Sequence, residues 1–420
     1  MGWTSGSPGR ELPGDSCLRV GKTLRVPTGT PSKSALTIEL AAQQSARIAE
    51  LLRDGFNLPA RRASTSADIR DDDRLPALLL AIDLHRVASP LAQHPELFES
   101  APGTSRGIRG MHLAASRDAL GLVAQTSSAC AHLSRAGIRS LVMKGVGMAA
   151  VQGRTPSARG SGDLDLWVHV DDVIQTVEHL ATIGYQPEDP AAVELVGSAS
   201  RRGRIYRWIT PEITLLHNEL KPIDLHFRLL RSTTHVPITF DEAWESSVLI
   251  PGTDGHGRTL CAEHALRHAA AHATKDCWDT LRHVVDIVHL ARMIGDDALG
   301  RLCVSDPSVD LAVVVASNLD PGLTRHTTSS RRTHRRARVA WKMCLSLSKR
   351  PQSIALQTGW ANIRSRSEVM VWQVRTAPDL GTALHPLIEA PVSMRALTDP
   401  APLPLGIMRD ILNRAKETRR

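Results

Sequence analysis

Apolar residues recur at intervals of three and four over Ala35 to Leu52, Leu75 to Leu91 and Met111 to Ala136. That spacing predicts three amphipathic helices. The third carries Leu113, Leu120, Leu122, Val123, Cys130 and Leu133 and ends near Gly137. The pattern then changes. Ile138 to Met143 is apolar enough for a buried strand, and Leu164 to Val170 predicts a second. An amphipathic helix over Asp171 to Ile183 follows, capped by Asp171 or Asp172 and closed by Gly184. Arg204 to Thr210 and Ile213 to Leu220 alternate in polarity and predict a hairpin, and Ile223 to Leu229 supplies a further strand. From Ala262 the helical period returns, over Ala262 to Lys275, Thr280 to Met293 and Asp310 to Ser317. No internal repeat is visible.

These elements predict an α+β fold, a small mixed sheet with helices on one side and helical segments before and after it. The expected organisation is a flexible tail rich in Gly, Pro, Ser and Thr over 1–35 and a helical region over 36–136. A sheet-bearing core over 137–260 and a second helical region over 261–420 complete it. With four Phe, two Tyr and eight Trp, the core must be built of Leu, Val, Ile and Ala. The six cysteines contain no Cys-x-x-Cys pair, which predicts free thiols rather than a disulfide frame or a zinc site. No apolar run reaches the roughly 18 residues of a membrane span, and the amino terminus has no signal-peptide pattern. A soluble cytoplasmic protein is expected.

The formal charge of +8 is concentrated in part in one segment. Residues 321–350 hold nine Lys and Arg and no acid. Such a run either lies on a solvated helix face or meets RNA or an acidic partner. Trp341 is its one aromatic, so base stacking has little support there.

The candidate chemistry lies in the core. Asp163 and Asp165 are one residue apart at a strand start, so their side chains point to the same face. Converging carboxylates repel unless a cation lies between them, and Mg²⁺ is the usual answer. Asp224, flanked by Ile223 and Leu225, is an acid inside an apolar strand and needs a partner or a metal. Ahead of these acids stand Lys144-Gly145, whose turn offers backbone N–H groups to phosphates, and Arg159, which is placed to reach a phosphate or brace the acids. His226 shares the Asp224 face, for substrate contact or a structural hydrogen bond. Three carboxylates gathered at a sheet rim could hold two Mg²⁺ ions roughly 3.5–4 Å apart for in-line transfer at phosphorus. An isolated Asp-x-Asp is more often a helix cap or a surface pair, so the order of the elements is what carries the reading.

In that order the chain resembles the nucleotidyltransferase superfamily, and within it the bacterial branch of uncharacterised nucleotidyltransferases. The matching stretches are Gly137 to Gly145, Arg159 to Val168, Gly184-Tyr185 and Ile223 to Leu229, with suggestive likeness from about residue 38 to 295. The resemblance implies a nucleotidyltransferase-like fold and a transferase that moves a nucleoside monophosphate from a nucleoside triphosphate, ATP among them. It implies Asp163, Asp165 and Asp224 as catalytic metal ligands, and Lys144, Gly145, Arg159 and His226 at the substrate. The acceptor stays open among a small molecule, a peptide or protein, and a nucleic-acid end. A non-catalytic RNA- or protein-binding adaptor with the same fold is the alternative.

Three further patterns compete for attention. Gly145-x-Gly147-x-x-Ala150 matches a dinucleotide fingerprint, but the acids open their strand instead of ending one, and Val151 to Ser161 is too broken for a crossover helix. His264, His268 and His272 recur every four residues, as core packing or as a zinc stripe. Asp286, on an apolar helix face, should be buried and paired with an Arg or His.

Overall fold

A computed structural model of the chain describes residues 33–57, 75–160, 162–230, 236, 238–328 and 330–346. Nearly all of the expected tail and residues 347–350 of the basic segment lie outside the described residues. Seven strands form one mixed sheet: β1 (Ser140–Val142), β2 (Leu164–Val168), β3 (Gln186–Pro187), β4 (Glu212–Leu216), β5 (Ile223–His226), β6 (Val248–Leu249) and β7 (Arg258–Thr259). Their order is β3-β4-β5-β2-β1-β7-β6. β2 runs parallel to β5 and antiparallel to β1, while β4 and β5 form an antiparallel pair. The antiparallel β1–β2 pairing also removes the dinucleotide reading, which needs a parallel crossover there.

All five residues of β2 are buried, so both faces of the sheet are covered. This corrects the expectation of helices on one side. On one face Leu164, Leu166, Val168, Ile223 and Leu225 join Leu122, Cys130 and Leu133 of α4 (Pro102–Arg135) and Val177 and Leu180 of α7 (Val173–Ala181). On the other, Leu141, Met143 and Trp167 belong to a larger core. That core contains α11 (Ala262–Lys275), α12 (Leu281–Met293), α14 (Pro307–Ala316) and α15 (Arg331–Cys344). It also takes in α1 (Lys33–Asn57), α2 (Leu75–Leu84) and α3 (Ala88–Ala92).

Three elements differ from expectation for local reasons. The helix anticipated over Leu75 to Leu91 is two, α2 and α3, because Arg86 takes a left-handed φ of 54° between them. α4 begins at Pro102, well before Met111: Pro suits the first helical position, and Gly103, Gly107 and Gly110 obscured the apolar spacing behind it. Arg204 to Thr210 is not a strand. It lies largely within α9 (Arg201–Ile209), whose start is capped by Ser200 Oγ accepting from Gly203 N at 3.1 Å. β4 instead pairs with β3 and β5.

The turn after β1 leads into α5 (Gly145–Val151), and glycine is required inside it. A Cβ on Gly147 would lie 2.3 Å from the Val142 carbonyl oxygen and 2.7 Å from Thr259 Oγ1. Gly147→Ala is therefore expected to cost about 1–3 kcal/mol by overpacking against backbone. A fall in the urea midpoint at unchanged m-value checks this.

Candidate active site

The β2–β5 register sets Asp165 directly beside Asp224, and Trp167 beside His226. The β4–β5 register then adds Thr214 opposite Asp224, and Glu212 opposite His226. One face of three adjacent strands thus carries Asp165, Asp224, Glu212 and His226. Asp163 stands one residue before β2 and is exposed.

Asp165 is the centre of this group, with 1% of its surface exposed. Its Oδ1 accepts from Lys144 Nζ at 2.7 Å and lies 3.1 Å from His226 Nε2. Burial alone would raise the Asp165 carboxyl, but the Lys144 ammonium and the His226 contact outweigh it and hold the group well below the usual carboxylate range. Lys144 is the reciprocal case. Burial works against its charge, yet Asp165, Glu212 and Asp163 together raise its pKa, so it stays an ammonium. Asp224 is pushed up, first by burial and then by Asp165 and Glu212, although Thr214 Oγ1 donates to its Oδ1 at 2.9 Å. Glu212 escaped the sequence analysis. Its signal was the alternation of Glu212, Thr214 and Leu216 opposite Ile213 and Leu215 in a strand that was expected to pair elsewhere. Glu212 Oε2 lies 3.1 Å from His226 Nδ1, so His226 is held between two carboxylates.

The three expected acids do not close into one ligand set. Among the described residues, the set with donor atoms all within 4.8 Å of one another is His272, Asp276 and His283. Lys144 and His226 engage one oxygen of Asp165, and Asp163 is exposed at the rim of the cleft. The chemistry of the acids nevertheless fits a hard divalent cation. Among the described residues Asp165 Oδ2 is buried without a hydrogen-bond partner, and the neighbouring Asp224 and Glu212 oxygens are of the type that Mg²⁺ takes.

Lys144, Gly145, Arg159 and Asp163 also border a cleft of about 290 Å³ between the sheet end and helices α11 and α12. Arg159, at the end of α6 (Pro156–Arg159), turns to the helices. Its Nε and Nη2 donate to the two oxygens of Asp286 at 2.9 and 2.8 Å, and its Nη1 reaches the Gly145 carbonyl at 3.4 Å. Gln152 adds a donor to Asp286 Oδ1 at 2.9 Å. The expectation that Asp286 is buried and paired is met, and the pair ties α12 to the Lys144-Gly145 turn. Arg282 is also close. Burial, and then the neighbouring Arg159, bring its pKa down to about 9, while its Nη2 donates to Gly160 O at 2.5 Å. Arg159 and Arg282 face Asp286, and around the whole cleft the cations Arg86, Lys144, Arg159 and Arg282 are matched by Asp163, Asp276, Asp279 and Asp286.

The histidine stripe divides. His264 Nδ1 is 3.2 Å from Ser246 Oγ, His272 Nδ1 is 3.0 Å from Asp276 Oδ2, and His268 is buried. Burial drives the His268 imidazole well below its ordinary value. At His289, burial and then Arg154 push the ring down to about 3. The unfolded chain protonates such rings near pH 6.5 and the folded chain only far lower. Their contribution to stability is thus complete above about pH 6.5 and is lost as pH falls toward the folded values. The melting temperature is expected to drop steadily from about pH 7 to about pH 4.5, with a shallower slope in His289→Leu. Thermal melts across that range check this.

A family described as Uncharacterised nucleotidyltransferase matches residues 71–301, which spans the sheet, α2 to α12 and most of the cleft. The chain belongs to this family. It is therefore a transferase of nucleotidyl groups, and nucleotidyltransferases generally use a divalent metal and a nucleoside triphosphate. The match starts at residue 71, later than the likeness from about 38 expected from the motifs. Comparison with curated proteins and with solved structures finds no match. Within this nucleotidyltransferase, no helix among the described residues is long and apolar enough to cross a membrane. Within the basic segment, Arg331–Cys344 form α15. Ala337, Ala340 and Met343 of this helix are buried, and Arg331, Arg332, Arg335 and Arg338 point outward, as a solvated face requires.

Proposed function

We propose that this nucleotidyltransferase moves a nucleoside monophosphate from a nucleoside triphosphate, ATP among them, to a hydroxyl, phosphate or amine of a small molecule, peptide or protein. The observation that carries the reading is the register of Asp165 beside Asp224, with the Lys144 ammonium 2.7 Å from Asp165 at the edge of the cleft. Asp163, Asp165 and Asp224 would hold the magnesium. When bound, it would neutralise the triphosphate and orient the reacting oxygens. Lys144 and the backbone N–H groups at the start of α5 bind the phosphates, which reach Lys144 from the cleft. Asp224, in register beside Asp165, is placed to orient or deprotonate the acceptor. His226 holds Asp165 in place, and Arg159 braces the Gly145 turn from behind.

Lys144→Met should raise the KM for triphosphate more than it lowers kcat, because its ammonium meets phosphate in both ground and transition states. The reading as a whole is tested with α-labelled nucleoside triphosphates, magnesium and cell extract. Label should pass to an acceptor with the parent chain and not with Asp163→Ala/Asp165→Ala. Transfer that survives the double substitution rejects this mechanism. A thermal shift given by RNA alone and lost in high salt would favour the adaptor reading.

A further inference from the structure

Beside the acids, and on the opposite wall of the same cleft, lies a cluster of different chemistry. α11 ends at Lys275, and the connector to α12 doubles back because Cys277 and Trp278 take left-handed φ angles of 57° and 56°. This reversal brings His283 of α12 against His272 of α11, with ring centroids 5.5 Å apart. Asp276 lies between them. Its Oδ2 is 3.0 Å from His272 Nδ1 and 3.7 Å from His283 Nε2. One donor atom from each of the three residues falls within 4.8 Å of the others.

We propose that His272, Asp276 and His283 form a site for a zinc-class divalent ion, distinct from the carboxylate group on the sheet. Ligand distances of about 2.0–2.2 Å in a tetrahedral site place neighbouring donors about 3.4 Å apart. The 3.0 and 3.7 Å separations bracket that value, and the third donor pair lies within 4.8 Å. Two imidazoles with one carboxylate suit zinc and its neighbours in the periodic table, whereas magnesium prefers an all-oxygen shell. A network of ion pairs would explain Asp276 on its own, but it does not explain His268. That ring is 1% exposed, borders the cleft, lies 5.7 Å from the His272 ring, and neither of its nitrogens has a hydrogen-bond partner among the described residues. A buried imidazole without partners is costly, and a water bound to an ion at the neighbouring site supplies what it lacks. Asp279 Oδ1 lies 3.2 Å from the same nitrogen, His283 Nε2, and gives up this contact when that nitrogen takes the ion. Because all three ligand residues line the cleft, the remaining coordination position opens toward it.

The test uses the full chain, stripped with a chelator and titrated with Zn²⁺ or Co²⁺ in excess Mg²⁺. The expected result is tight binding of a single equivalent, visible Co²⁺ absorption, and imidazole scattering at the zinc absorption edge. His272→Ala and His283→Ala should each weaken binding by more than the roughly 10–100-fold that loss of a ligand's own hydrogen-bond partner costs. Asp163→Asn/Asp165→Asn should leave it unchanged, which separates this site from the transfer mechanism. The wild-type spectra decide the matter even where a variant misfolds. An oxygen-only shell, displacement by magnesium, or unaltered binding in both folded histidine variants overturns the proposal.

Discussion

Asp165→Asn is expected to reduce nucleotidyl transfer by roughly 10³-fold, the scale of losing a preorganised charge at a phosphoryl-transfer site. Asp165 is the one group joined to every other part of the site: it pairs with Lys144, contacts His226 and sits in register with Asp224. Amidation keeps the shape and removes the charge. The Lys144 ammonium then loses its main partner, and Asp224 loses the neighbour that helps raise its pKa. Both kcat and kcat/KM should fall, because the charge Asp165 is proposed to supply matters most in the transition state. Steady-state kinetics on folded variant, verified by its circular dichroism and melting curve, check this. Activity within tenfold of the parent would leave no place for Asp165 in the chemistry.

The largest effect on stability is expected at Asp286. Asp286→Ala should cost about 3–5 kcal/mol, the range for removing one member of a buried ion pair. Arg159 is only 6% exposed and gives Asp286 two hydrogen bonds, so truncation strands a buried guanidinium beside Arg282. Burial alone would raise the Asp286 carboxyl, but Arg159 foremost and Arg282 after it hold it well below its ordinary value. Its contribution is present above the unfolded carboxyl pKa and disappears only as pH falls through the much lower folded one. Acid loss near pH 5 to 6 therefore belongs to the histidines, and the Asp286 share appears only in strong acid. Urea unfolding of Asp286→Ala, Arg159→Met and the double variant, assembled as a cycle, measures the coupling, with Asp286→Asn measured beside them. Asparagine should lose less than alanine because it keeps one acceptor for the fork. A cost below about 1 kcal/mol for alanine would mean that water relieves Arg159 and that the clamp is weak.

Much of the site could be read from the residue order. Strand alternation put Asp163 and Asp165 on one face, and the apolar flanks of Asp224 marked it as an acid needing a partner. Asp286 showed itself by interrupting an apolar helical stripe. Glu212 did not, because its relevance depends on which strand lies beside β5, a pairing between segments that periodicity does not encode. α9 was misread because alternation and helical spacing coincide over short stretches, and the Ser200 cap with the Gly203 close approach settles the outcome.

Residue order alone determined the mixed α/β class, the sequence of strand, Lys-Gly turn and paired acids, and family membership, since these depend on local period and motif spacing. Tertiary structure decided which charges meet. It turned Arg159 away from Asp165 and onto Asp286, gave Lys144 to Asp165, left Asp163 exposed at the cleft rim, and folded His283 back upon His272. Those choices are energetic contests between groups far apart in the chain, and only burial, where an unpaired charge costs most, selects the winner.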